Sequence, residues 1–113
     1  MSKLATIELT GNSCTKYTFD VYSYGSVFSK ISCIYFISKR EINNDNKFVH
    51  DIFFIGKTDD ISKEISAHPK KSCFEQNNSN CISIYISNSE TEKEHIMYDL
   101  IKRYVPKCND SLP

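Results

Sequence analysis

Few side chains in this sequence could do chemistry, and their spacing decides which chemistry that is. His68, Cys73, Cys81 and Cys108 together have the ligand types of a zinc site. They lack the close C-x-x-C pairs that hold a tetrahedral ion, so the spacing argues against zinc. Cys14 and Cys33 bring the cysteine count to five. An odd count with no export signal predicts five reduced thiols, free of metal, in a cytoplasmic protein. Cys33 and Cys81 fall in apolar runs and read as small buried hydrophobes. Gly56-Lys57-Thr58 has the end of a phosphate-binding loop without its upstream glycine, so it is not a P-loop. Lys39, Arg40, Lys70, Lys71, Lys102, Arg103 and Lys107 are interleaved with acids and read as solvated surface. His68 stands before Pro69, where an imidazole either caps helix-end carbonyls or serves a site.

The elements that must position these groups are legible from patterning. Thr6-Ile7-Glu8-Leu9 and Lys16 to Tyr22 alternate polar with apolar around the turn residues Thr10 to Ser13, which predicts an N-terminal hairpin over 5–22. Ile31 to Ile37 is a near-continuous apolar run, the pattern of a central strand buried on both faces. Lys39 to Lys47 reads as a polar loop. Asp51 to Ile55 reads as the next strand, ended by Gly56. Thr58-Asp59-Asp60 offers helix-capping oxygens, and Ile61 and Ile65 share one helical face that Pro69 closes. Residues 70–80 are polar, with room for another short helix, and Cys81 to Ile86 is a strand. Ser89-Glu90-Thr91-Glu92 has the form of a capping box. Ile96, Met97, Leu100, Ile101 and Tyr104 make an apolar helical stripe that Pro106 terminates.

The chain of 113 residues is thus expected to be a single domain over 1–113, of α+β class. An antiparallel sheet of about five strands is flanked by two or three helices. Fourteen basic residues balance fourteen acidic ones, so a broad positive field of the kind that strong nucleic-acid binders carry is absent. No stretch is long and apolar enough to span a bilayer, so no membrane partner is expected.

Two tripeptides, Cys33-Ile34-Tyr35 and Phe54-Ile55-Gly56, end neighbouring apolar runs. With His68 and the closing Pro106-Lys107-Cys108-Asn109, they give the stretch 32–109 a layout that resembles the GIY-YIG nuclease superfamily. The preceding hairpin is similar to that of small stand-alone bacterial members. The resemblance implies a metal-assisted cleavage of phosphodiesters. One tyrosine orients the nucleophile, a second lines the site, an arginine steadies the phosphate, and a glutamate holds a divalent cation through oxygen.

Carried over position by position, the first tyrosine is Tyr35 and the glycine before it becomes Cys33. The second tyrosine becomes Phe54, which keeps the ring and loses the hydroxyl. Gly56 is retained, the helical histidine is His68, and Pro106 and Asn109 match. The arginine position holds Glu64, which reverses the charge. The metal-binding glutamate position holds Met97, whose thioether is a poor ligand for a hard cation. Lys63 beside Glu64, and Glu94 one helical step before Met97, are the candidates for relocated groups. The candidate catalytic residues are therefore Tyr35, His68 and Lys63. The candidate binding residues are Gly56, Lys57 and Asn109. Glu94 is the weak candidate for a metal.

Each of these residues also has a plain structural reading. Tyr35 fits a strand aromatic with its hydroxyl at the surface. Met97 fits a core filler. Gly56 fits a turn or a close backbone approach. The expected function is a degenerate, catalytically impaired GIY-YIG-like protein that binds nucleic acid weakly or binds a protein. No cofactor is expected in that reading. The alternatives are a divergent endonuclease using Mg²⁺ or Mn²⁺, and an accessory protein exported by a specialised secretion system to bind a protein partner.

Overall fold

Alternation builds the first two strands as the sequence predicts. In the computed structural model, which describes residues 3–110, β1 (Ala5–Thr10) pairs antiparallel with β2 (Lys16–Ser23). Leu9, Tyr17, Phe19 and Val21 are buried, while Lys16 and Thr18 between them are exposed. The rest of the chain adds β3 (Cys33–Ile42), β4 (Phe48–Thr58), α1 (Ile61–Ser66), α2 (Lys71–Gln76), β5 (Cys81–Ile86) and α3 (Glu90–Tyr104). The strands form one antiparallel sheet in the order β1-β2-β5-β3-β4. This is the expected α+β arrangement, with three helices. No helix among the described residues is long and apolar enough to cross a membrane.

The sheet is longer than the apolar patterning suggests. Lys39 to Lys47 is not all loop: β3 runs to Ile42, β4 starts at Phe48, and only residues 43–47 turn. Exposed ladder residues such as Glu41 and Val49 are ordered by backbone pairing, which hydropathy does not report. The Asn43 side chain accepts from the N–H groups of Asp45 and Lys47 and sets the turn. Gly56 likewise does not end its strand, because Lys57 and Thr58 still pair with Ile34 and Cys33.

A register shift at Ile37/Ser38 decides which way β4 faces. Ile37 pairs with Phe54 and Ser38 with Ile52, so Phe53 is an extra residue. Such a bulge lets two successive side chains point to one face. Phe53 and Phe54 both pack with Tyr35, Ile61 and Phe74 beneath α1 and α2. Ile55 returns to the opposite face, where Phe19, Phe36, Ile96 and Leu100 form the core under α3. β3, between these layers, is buried on both faces from Cys33 to Ser38.

The helix ends follow the capping residues in the sequence. The Asp60 carboxylate accepts from Ser62 N–H at 3.0 Å and from Lys63 N–H. Ser89 Oγ accepts from Glu92 N–H at 3.1 Å. The other half of the expected capping box is displaced: Glu92 accepts from Ser87 Oγ, and Ser87 Oγ accepts from Ser89 N–H. Met97 is partly buried against the core, in keeping with its place in the apolar stripe.

One cysteine expectation is overturned. Cys73 and Cys108 form a disulfide with a Cα separation of 6.0 Å, leaving Cys14, Cys33 and Cys81 as free thiols. The pair spans 35 residues, and α2 brings Cys73 over the returning tail, a meeting that sequence spacing alone does not encode. Cys33 and Cys81 are buried as expected, and burial pushes the Cys33 thiol up to about 12. The cytoplasmic placement rested on five reduced thiols. The Cys73–Cys108 bond removes that support.

Candidate functional site

Three polar side chains meet beneath α1. Tyr35 projects from β3, and Glu64 and His68 lie on and just beyond α1. The Tyr35 hydroxyl lies 2.7 Å from Glu64 Oε2 and 2.7 Å from His68 Nε2. The backbone N–H of Lys70 donates to His68 Nδ1 at 3.0 Å. A backbone N–H can only donate, so Nδ1 carries a lone pair and the neutral ring holds its proton on Nε2. His68 Nε2–H therefore donates to the Tyr35 oxygen, and the Tyr35 hydroxyl donates to Glu64. The result is a one-way relay, from Lys70 N–H through His68 and Tyr35 to the Glu64 carboxylate.

Burial sets the protonation of this relay. Tyr35 has no exposed surface. Its burial, and then the hydrogen bond to Glu64, push the phenol well above the usual tyrosine range. Burial lowers His68 below the usual histidine value. Glu64 opposes that shift and Lys70 adds to it. The relay is thus a neutral phenol and a neutral imidazole ending on a carboxylate. The Tyr35 hydroxyl is not at the surface, as a plain strand aromatic would have it. The His68 ring accepts a backbone N–H rather than capping carbonyls, because the chain turns back over it at Pro69 and Lys70.

Aromatic rings hold the relay in place. The Phe54 ring lies 4.8 Å from that of His68 and 5.8 Å from that of Tyr35, and Phe74 lies 4.8 Å from His68. Gly56 makes this possible by close approach rather than by a left-handed turn. A Cβ there would lie 2.7 Å from the Phe54 ring and 3.0 Å from the Tyr35 hydroxyl oxygen.

A cleft of about 290 Å³ opens beside the relay. Tyr35, Phe54, Gly56 and Glu64 line one side, and Met97, Tyr98 and Ile101 of α3 line another. Ile55, Lys57, Asn109 and Asp110 complete it. The structure thus gathers seven of the positions singled out in the sequence around one opening: Tyr35, Phe54, Gly56, Lys57, Glu64, Met97 and Asn109. His68 stands behind Tyr35. Two of these candidates play different parts here. Lys57 is ion-paired with Glu90. Asn109 is a clamp on the backbone: its Oδ1 accepts from Ile55 N–H at 2.9 Å, and its Nδ2 donates to Ile55 O at 2.8 Å.

The relocation candidates lie elsewhere. Lys63 is exposed and borders an adjoining groove with Asp59 and Asp60, of which Glu64 is a shared wall. Glu94 is exposed and lines a larger cleft, of about 490 Å³, between α3 and the β1–β2 turn. Among the described residues, no three His, Cys, Asp or Glu side chains gather in a way that could hold a metal ion. The sulfurs of Cys73 and Cys108 are bonded to each other, which removes two members of the His68–cysteine set.

Two charged residues are placed by the structure without having been singled out. Lys93 is buried, with its Nζ 2.7 Å from Ser32 Oγ and 2.5 Å from Asp59. Burial works against its charge, but the bonds to Asp59 and Glu90 outweigh that and hold it above the usual lysine range. It ties α3 to the segment that starts α1. Asp99 is also buried, and it accepts from Ser13 N–H, Ser13 Oγ and Tyr17 Oη at 2.7–2.8 Å. Position was the available signal. Lys93 sits three and four residues before Ile96 and Met97, and Asp99 sits beside Leu100, so both interrupt an apolar stripe.

Comparison with known proteins returns no match among family models, curated proteins or solved structures.

Proposed function

We propose that this chain is a catalytically silent relative of the GIY-YIG nucleases that serves as a binding module, with the cleft beside Tyr35 docking a partner instead of cutting a phosphodiester. The observation that carries this reading is the direction of the relay. A tyrosine that activates a nucleophile must give up its proton or aim it at the reacting atoms. Tyr35 spends its proton on Glu64, inside a buried site that disfavours the phenolate.

The charges support a protein partner over nucleic acid. On the resemblance, Glu64 puts a carboxylate where a scissile phosphate would sit, and Asp110 at the rim is paired with Lys70. Lys57, the lysine that lines the cleft, is paired with Glu90. Apolar Met97, Ile101 and Tyr98 offer contact area to an apolar or basic side chain. Anisotropy titration of a short labelled DNA duplex at physiological salt tests this. The reading predicts binding no tighter than about 10⁻⁴ M, the weak end of non-specific affinity. Tighter binding that Lys57→Glu abolishes would contradict it.

A second reading, a divergent endonuclease, draws on the same contacts. A phenol within 2.7 Å of both an imidazole and a carboxylate is a set of groups able to pass a proton. That reading requires Mg²⁺ or Mn²⁺ to be held by groups other than Met97, and it predicts metal-dependent nicking.

A further inference from the structure

The chain after α3 turns back across the sheet and ties down the outer edge of β4. Val105 adopts a left-handed conformation at the helix end, and Pro106 is buried. Cys108 N–H then donates to Phe53 O at 2.8 Å, and the Asn109 amide takes both backbone groups of Ile55. Residues 106–110 therefore act as a short strap on an edge strand, in place of a sixth strand. The same strap forms part of the cleft wall, through Asn109 and Asp110.

Its attachments differ in kind. Hydrogen bonds exchanged with water are worth little net, and the ion pair of Lys70 with Asp110 is exposed at the carboxylate. Set against them is the conformational entropy of five ordered residues. The covalent tie is the Cys73–Cys108 bond, whose Cys108 sits directly before the Asn109 clamp. Cys108 is buried and Cys73 only partly so, which makes Cys73 the more exposed partner of the bond.

We infer that the Cys73–Cys108 disulfide is a redox latch: it holds the 106–110 strap on β4, and its reduction frees that strand edge and one wall of the Tyr35 cleft. The reductant is a dithiol. One of its thiolates attacks Cys73 Sγ, the S–S bond breaks, and Cys108 leaves as a thiolate that takes up a proton. The second thiol of the reductant then displaces Cys73 from the mixed disulfide. Two electrons and two protons pass to the protein, and the dithiol leaves as its own disulfide.

Amide hydrogen exchange followed by NMR tests the latch on the intact protein, with no partner or nucleic acid present, so its outcome is separate from that of the binding reading. The Ile55 N–H reports the strap, because its acceptor is Asn109. The Ile84 N–H, in the central strand β5, reports the core. Asn109→Ala with the disulfide intact should speed exchange at Ile55 and leave Ile84 unchanged. Dithiothreitol, and separately the Cys73→Ser/Cys108→Ser variant, should speed Ile55 exchange at least about tenfold more than Ile84 exchange. Equal acceleration at the two sites would make the bond a general stabiliser and overturn the proposal. So would an Ile55 rate that reduction leaves unchanged.

Discussion

At the scale of the residue, the charge state of His68 governs the relay. Protonating the ring would put a proton on Nδ1, against the N–H of Lys70, and burial disfavours the charge further. His68 is lowered in the folded state, so the unfolded chain binds more protons once pH drops below the free histidine value of about 6.5. Stability should therefore fall as pH falls through that window and level off below the folded value. His50 is also lowered, by burial and then by Arg40, and adds a slope of the same sign. Urea unfolding at several values between about pH 5 and 7.5 measures the sum, and His68→Gln should remove a clear part of it. A variant whose pH slope matches the parent would show that His68 carries no such linkage. The convergence of Tyr35 and His68 could be read from the sequence only through their family-like spacing. Their hydrogen-bond direction could not, because it depends on a single backbone N–H at Lys70.

At the scale of the element, the N-terminal hairpin depends on one carboxylate of α3. Gly11 has no side chain, and a Cβ there would lie 2.0 Å from Asp99 Oδ2, so the turn closes tightly on that group. The bonds from Ser13 and Tyr17 outweigh the effect of burial and hold Asp99 below the usual carboxylate range. Asp99→Ala would leave Tyr17 Oη and Ser13 N–H without their acceptor. It should destabilise the protein by about 3 kcal/mol, seen as a lower urea midpoint with an unchanged slope. A loss below about 1 kcal/mol would mean the hairpin is held by its apolar face alone. The hairpin itself was plain from alternation, and α3 from its stripe. Its fastening was not, since Asp99 lies 86 residues from Ser13 and gives no local signal. The ends of β3 and β4 escape hydropathy for a related reason: ladder pairing continues beyond the apolar runs. The bulge at Phe53 was equally hidden, yet it turns Phe54 toward His68.

At the scale of the whole molecule, the sheet order explains how distant sequence positions come to share one cleft. β5 inserts between β2 and β3, which leaves β4 at the edge, and α3 and the strap both pack against it there. Tyr35, Glu64, Met97 and Asn109 are thereby brought to one opening. Tyr35 and Phe54 stand on adjacent strands at that opening, while the Tyr35 hydroxyl points inward to Glu64 and His68. The central claim is that this opening binds without cutting. A nicking assay on supercoiled plasmid and on branched DNA, with Mg²⁺ or Mn²⁺ and with Tyr35→Phe as the paired control, tests it most directly. The account predicts no cleavage above background by either protein with either metal. Metal-dependent nicking by the parent chain that Tyr35→Phe abolishes would contradict it and restore Tyr35 as a catalytic group.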